Sequence, residues 1–174
     1  MKIEIVPYNP EWPGRFYEIK ELFYSTFGVK IAGIEHIGST SVPGLGAKPI
    51  IDVLLGVNRL SDAEDIIPAM EQLGYEYVFK YEDIMPERRY FVKYLNDTGK
   101  SIHHIHSVEI NSDFWVRHLL FRDYLREHPA VRDEYYELKK KLAAIDWEDK
   151  MGYTDAKTDF IREIEKKAYN YFGK

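Results

Sequence analysis

Three short stretches carry the residue types that do chemistry. The first is the turn Gly38, Ser39, Thr40 and Ser41, which follows the apolar stretch 34–37. Hydroxyls and backbone N–H groups at a turn opened by glycine form a concave anion site, so phosphate is the natural ligand. The second is PIIDVLLGV (49–57), in which Asp52 is the one charged residue. A carboxylate among apolar side chains is costly unless it is paired or bound to a metal, so Asp52 demands a partner. Lys48 lies four residues away, roughly 13 Å along a strand and on the same face, so a partner from another strand fits better. The third stretch, IHHIHSVEI (102–110), supplies one. Alternation puts His104 and His106 on one face with Ile102, Val108 and Ile110, and leaves His103 on the other, where it reads as solvated. Two imidazoles and one carboxylate suit Zn, Mn, Ni or Fe better than Mg, and such a metal would activate water for hydrolysis. In RYFVKYL (89–95), Arg89 and Lys93 share a face and add cations suited to a phosphate or carboxylate. Taken singly, the glycines and serines make only a tight connection with a helix cap, and the alternating charges a solvated face.

The elements that must position these residues follow from periodicity. Asn9 and Pro10 open a helix on which Trp12, Phe16, Ile19, Phe23 and Phe27 recur until Gly28. Stretches 34–38 and 49–57 read as strands, the second buried on both faces, and a short helical turn from Val42 to Leu45 fits between them. Ser61 and Glu64 form a capping-box pattern for a helix that ends at Gly74. Stretches 75–81, 89–95 and 102–110 are rich in β-branched and aromatic residues, the last two forming a hairpin through NDTGK. From Ser112 the pattern is helical, broken at Pro129 and again at 146–153, with Thr154 as the N-cap of the closing helix. The expected fold class is α+β: one domain over 1–174, a mixed, mostly antiparallel sheet flanked by helices, and a helical C-terminal third.

Composition narrows the function. A net charge of −5 argues against a nucleic-acid partner, although a small polyanion needs only a local cluster. With no cysteine there is no disulfide framework, thiolate metal site or cysteine nucleophile. No stretch approaches the roughly 20 apolar residues of a membrane span, so the expectation is a cytoplasmic protein without a membrane partner. Fourteen tyrosines and nine phenylalanines exceed what a small core hides and leave room for a homodimer.

The blocks EHIGSTSVPGLGAKPIIDVLLGV, RRYFVKY, HHIHSVE, FWVRHLLFRDYLREHP and YTDAKTDFI resemble, in that order, motifs of the GrpB family, over nearly the whole chain. The resemblance implies a nucleotidyltransferase-like fold, because Gly-Ser followed by an acidic strand is similar to that superfamily's signature. A similar domain fused to dephospho-coenzyme A kinase points to nucleotide or coenzyme A metabolism. Carried over, Gly38 and Ser39 match the phosphate-binding turn and Asp52 the first metal-binding carboxylate. The second carboxylate, two residues on, is Leu54 here, so the two-acid Mg clamp is incomplete. His104 and His106 stand where the third acid would fall, and Glu35 is a further candidate ligand. Two readings follow. One is an enzyme binding a nucleotide or other phosphorylated small molecule, with a divalent metal on Asp52, His104 and His106 and with Gly38, Ser39, Thr40, Lys48, Arg89 and Lys93 toward the phosphate. The other is a module of the same fold that binds its ligand without catalysis.

Overall fold

The computed structural model describes residues 3–173. Five strands form one mixed sheet in the order β1-β2-β5-β4-β3: β1 (Gly33–Ile37), β2 (Ile51–Val57), β3 (Glu76–Tyr77), β4 (Arg88–Tyr94) and β5 (Ser101–Glu109). Every pairing is antiparallel except that of β2 with β5. That parallel pair, which needs the long excursion from 58 to 100 between its strands, sets Asp52 opposite His104 and Leu54 opposite His106.

Helices cover both faces. On one lie α1 (Trp12–Phe27), α2 (Leu60–Asp65) and α3 (Ile67–Gln72), with apolar residues of α1 and α3 packed against Ile51, Val53, Leu55, Phe91 and Ile105. On the other lie α4 (Asp113–Glu127), α5 (Pro129–Ala143), α6 (Lys150–Asp155) and α7 (Thr158–Phe172). There Ile37, Leu54 and Val108 meet Phe114 and Trp115, while Val42 and Leu45 pack among residues of α4, α5 and α7. Among the described residues no helix is long and apolar enough to cross a membrane.

Several boundaries differ from the sequence expectation for identifiable reasons. The first helix begins at Trp12 because Asn9 closes a turn instead: its side chain accepts the Glu11 N–H and its carbonyl the Trp12 N–H. The next helix is capped by Arg59, whose N–H donates to Asp62, and Glu64 instead pairs with Arg89. Its continuation splits at Ile66, next to Pro68 in the first turn of α3. Only Glu76–Tyr77 of the expected strand 75–81 pairs, and 79–81 turns as a 3-10 helix. Residues 42–45 make a turn rather than a helix; the helical turn is Ser39–Ser41. Asp149 caps α6 through the Gly152 N–H, so Thr154 lies within a helix and not at its start.

Candidate functional site

The parallel register brings Asp52, His104 and His106 together on the face covered by the C-terminal helices. His104 Nδ1 donates to Asp52 Oδ1 at 3.2 Å, and His106 Nε2 stands 3.9 Å from the same oxygen. Burial pushes the Asp52 carboxyl up, but the hydrogen bond from His104 and the nearby His106 N–H outweigh it and hold the group below the ordinary carboxylate range. Tyr90, opposite His106 in the sheet, closes the far side with its ring 5.1 Å from His106 and 5.7 Å from His104.

Arg88 and Asp52 set where the imidazole protons sit in this arrangement. Arg88 is inward and buried, and its Nη1 lies 3.1 Å from His106 Nδ1. A guanidinium only donates, so Nδ1 accepts and the proton of the neutral ring sits on Nε2, the nitrogen facing Asp52. On His104 the nitrogen facing Asp52 likewise carries the proton, because a carboxylate only accepts. With the protons so placed, a cation shared with Asp52 would have to displace them, and among the described residues no three acids or histidines are arranged to hold a metal. Leu54 is no vacant ligand position either: it is fully buried against Phe114 and Trp115. Glu35 lies on the same face, where Arg122 of α4 holds its carboxylate at 2.6 Å.

The hydroxyl turn arrives beside Asp52 because position 38 is glycine. Gly38 has φ +70, and a Cβ there would stand 2.5 Å from Asp52 Oδ2. Of the three hydroxyls, that of Ser39 lines the cavity and is hydrogen-bonded with Tyr135. Thr40 is buried, donating to the Ile50 carbonyl and accepting from His36 Nε2, so its hydroxyl locks the turn instead of meeting a ligand. Ser41 donates to the Gly38 carbonyl at 2.6 Å. Cations on the helices then grip the loop by its carbonyls: Arg126 on Ser41, Arg132 on Pro43 and Lys139 on Gly46.

Above Ser39 and Asp52 opens a cavity of about 310 Å³ lined by three lysines, Lys48, Lys139 and Lys157. The ammonium groups of Lys48 and Lys157 rest on the Tyr153 ring, 4.4 and 4.6 Å from its centroid, and that of Lys139 lies 4.9 Å from the Tyr135 centroid. Burial, then neighbouring Lys157, lowers Lys139 to about 7; burial, then Lys48, lowers Lys157 to about 8. Asp52 opposes both shifts.

Of the expected phosphate ligands, then, Ser39, Thr40 and Lys48 line the cavity with Asp52, His104 and His106, although the Thr40 hydroxyl is engaged by Ile50 and His36. Arg89 and Lys93 do share a face, but it is the opposite face of the sheet. Arg89 is held there by Glu64 at 2.7 Å and Glu82 at 3.7 Å, and Lys93 donates to the Leu73 carbonyl. His103, expected in solvent, is half-buried on that face, with Nδ1 3.0 Å from the Tyr75 hydroxyl, and burial lowers it to about 4. Sequence reasoning missed Lys139, Tyr135 and His118. Their signal was helical spacing: Tyr135 and Lys139 lie four apart on one helix face, where a lysine among core positions is out of pattern.

Fold and recess together define an α+β domain that presents one carboxylate, a histidine pair and a lysine cluster at the ends of its two central strands. The GrpB protein family matches residues 2–167, and the chain belongs to that family. It is similar to "UPF0157 protein YqkA" of Bacillus subtilis (42% identical, over 96% of this chain and 47% of that protein). It thus spans about half of that relative's length. It is also similar to "Glutamate-rich protein GrpB" of Alkalihalophilus pseudofirmus (33% identical, 94% of each chain). A protein named "Dephospho-CoA kinase" in Mycolicibacterium paratuberculosis is 26% identical over 97% of this chain and 46% of its own. The crystal structure of the conserved protein GrpB from Enterococcus faecalis superposes with a TM-score of 0.87 at 36% identity, covering 98% of this chain and 100% of that one.

Proposed function

We propose that this protein binds a nucleotide or another phosphorylated small molecule, with its phosphates in the lysine-lined cavity and against Ser39. The observation that carries this reading is the convergence of Lys48, Lys139 and Lys157 on one recess in a chain of net charge −5. Two of these ammonium groups are held below their ordinary pKa and gain most from an incoming anion. The likeness to a protein named for dephospho-CoA kinase adds support for a nucleotide-type ligand. Beside the phosphate, Asp52 fixes His104 with Nδ1 protonated, which leaves Nε2 as a proton acceptor in the same cavity. On this reading the protein is an enzyme of the nucleotidyltransferase-like kind in which His104 handles the proton and Asp52 orients it.

The second reading, a binding module without catalysis, is favoured by one observation: Leu54 and the protonated faces of His104 and His106 leave Asp52 without the second ligand that metal-assisted transfer requires. A thermal-shift screen of nucleotides and phosphorylated metabolites tests the shared part, since any ligand of the native state raises the melting temperature. Turnover of a hit that Asp52→Asn abolishes while binding persists supports the enzyme. Turnover absent from the wild type, with binding intact, supports the module.

A further inference from the structure

Asp52 stands between two cavities, not at the end of one. Behind the lysine chamber lies a second, of about 220 Å³, and the two share Ser39, Asp52 and Lys157 in their walls. Their remaining walls differ in kind. The first adds cations; the second adds His118, Glu165, Phe121, Tyr135 and Ile161. Glu165 is already balanced by Arg162 at 2.9 Å and Arg117 at 3.6 Å, and the Asp52 charge is opposed by Lys157. A net charge on an occupant of this chamber, of either sign, would face as much repulsion as attraction.

His118 decides which polar groups such an occupant offers. Its Nδ1 lies 2.7 Å from the Phe114 carbonyl, which can only accept, so Nδ1 carries the proton and Nε2, on the other edge of the neutral ring, is a hydrogen-bond acceptor. Stacking on Phe114, with centroids 4.0 Å apart and planes 19° apart, fixes the ring. His118 Nε2 and the carboxylates of Asp52 and Glu165 offer acceptors, Lys157 and the Ser39 and Tyr135 hydroxyls offer donors, and Phe121 and Tyr135, edge to face at 5.9 Å, give the wall an aromatic corner. Hydroxyls, which both donate and accept, on one side and an apolar C–H face on the other match both.

We propose that the second chamber binds an uncharged, hydroxyl-bearing molecule with an apolar face, of the sugar or cyclic-polyol class, alongside the phosphorylated ligand. This rests on reading the first chamber as the phosphate site, and it makes Asp52 the wall common to both ligands. Saturation-transfer NMR on the full chain with myo-inositol, D-ribose and D-glucose tests it, with inorganic pyrophosphate titrated by calorimetry into the same samples. The expected result is transfer to at least one of the three, weakened at least tenfold in affinity by His118→Phe and by Phe121→Ala, with circular dichroism unchanged. Transfer from none of them, or equal transfer in both variants, overturns the proposal. Failure of pyrophosphate to bind the wild type overturns the phosphate reading instead, and the sugar result distinguishes the two failures.

Discussion

Replacing Lys157 with methionine separates charge from volume in the lysine chamber. Burial and the neighbouring Lys48 hold this ammonium at about 8, against 10.5 for an ordinary lysine. An anion docked against it favours the charged form and returns the group toward its ordinary value. Between those two values the wild type therefore takes up a proton when it binds, and affinity is complete below about pH 8 and falls as pH rises through it. The fall is about tenfold for each pH unit, and its total is at most about 3 kcal/mol, less whatever solvent at the chamber mouth screens. Calorimetry with pyrophosphate from pH 6 to about pH 10, in buffers of different ionisation enthalpy, counts the proton directly. The ligand's own ionisation cancels in the ratio of wild type to Lys157→Met. That ratio is expected to be flat on the acid side and to collapse on the alkaline side. A ratio independent of pH, or equal proton uptake by the two proteins at pH 9, would refute the placement of Lys157 against the anion.

Other outcomes follow from the same geometry. Arg88→Met removes the donor facing His106 Nδ1 and lets the proton move there, so Nε2 can face a cation beside Asp52; equilibrium dialysis with Ni or Zn should show affinity raised about tenfold or more over a weakly binding wild type. Gly38→Ala forces a side chain into a left-handed backbone and against Asp52, costing at least about 1 kcal/mol in denaturant unfolding and abolishing pyrophosphate binding. Leu54→Asp, which restores the missing acid, buries an unpaired charge against Phe114 and Trp115 and should cost about 3–5 kcal/mol instead of conferring activity. Folded Lys139 sheds its proton near pH 7, whereas the unfolded chain keeps one to about 10.5, so stability should rise with pH across that window and Lys139→Met should flatten the rise in thermal melts.

The strands at the heart of the site were legible because their patterns are local. The apolar run around Asp52 and the alternation through His104 and His106 identify an inward face, and the demand of Asp52 for a cross-strand partner is met by His104. What alternation cannot give is the direction in which an imidazole nitrogen turns. That depends on Arg88 from β4, whose inward orientation is set by pairing with Val108. Arg89 and Lys93 show the converse: the shared face was read correctly, but which face of the sheet it was depends on register with β5. Of the lysines that define the chamber, Lys48 directly precedes β2, but Lys157 lies in the turn between α6 and α7, and Lys139 on α5 heads a run of three that reads as a solvated face. Only the packing of α5 on the 41–46 loop buries the first of them.

A crystal structure of the protein in pyrophosphate tests the central claim most directly. The expected result is an anion in the recess above Ser39 and Asp52, within hydrogen-bond distance of the Lys157 ammonium and of at least one of Lys48 and Lys139. An anion seated instead on the Arg89 and Lys93 face, or a recess left without one while pyrophosphate binds in solution, would contradict it.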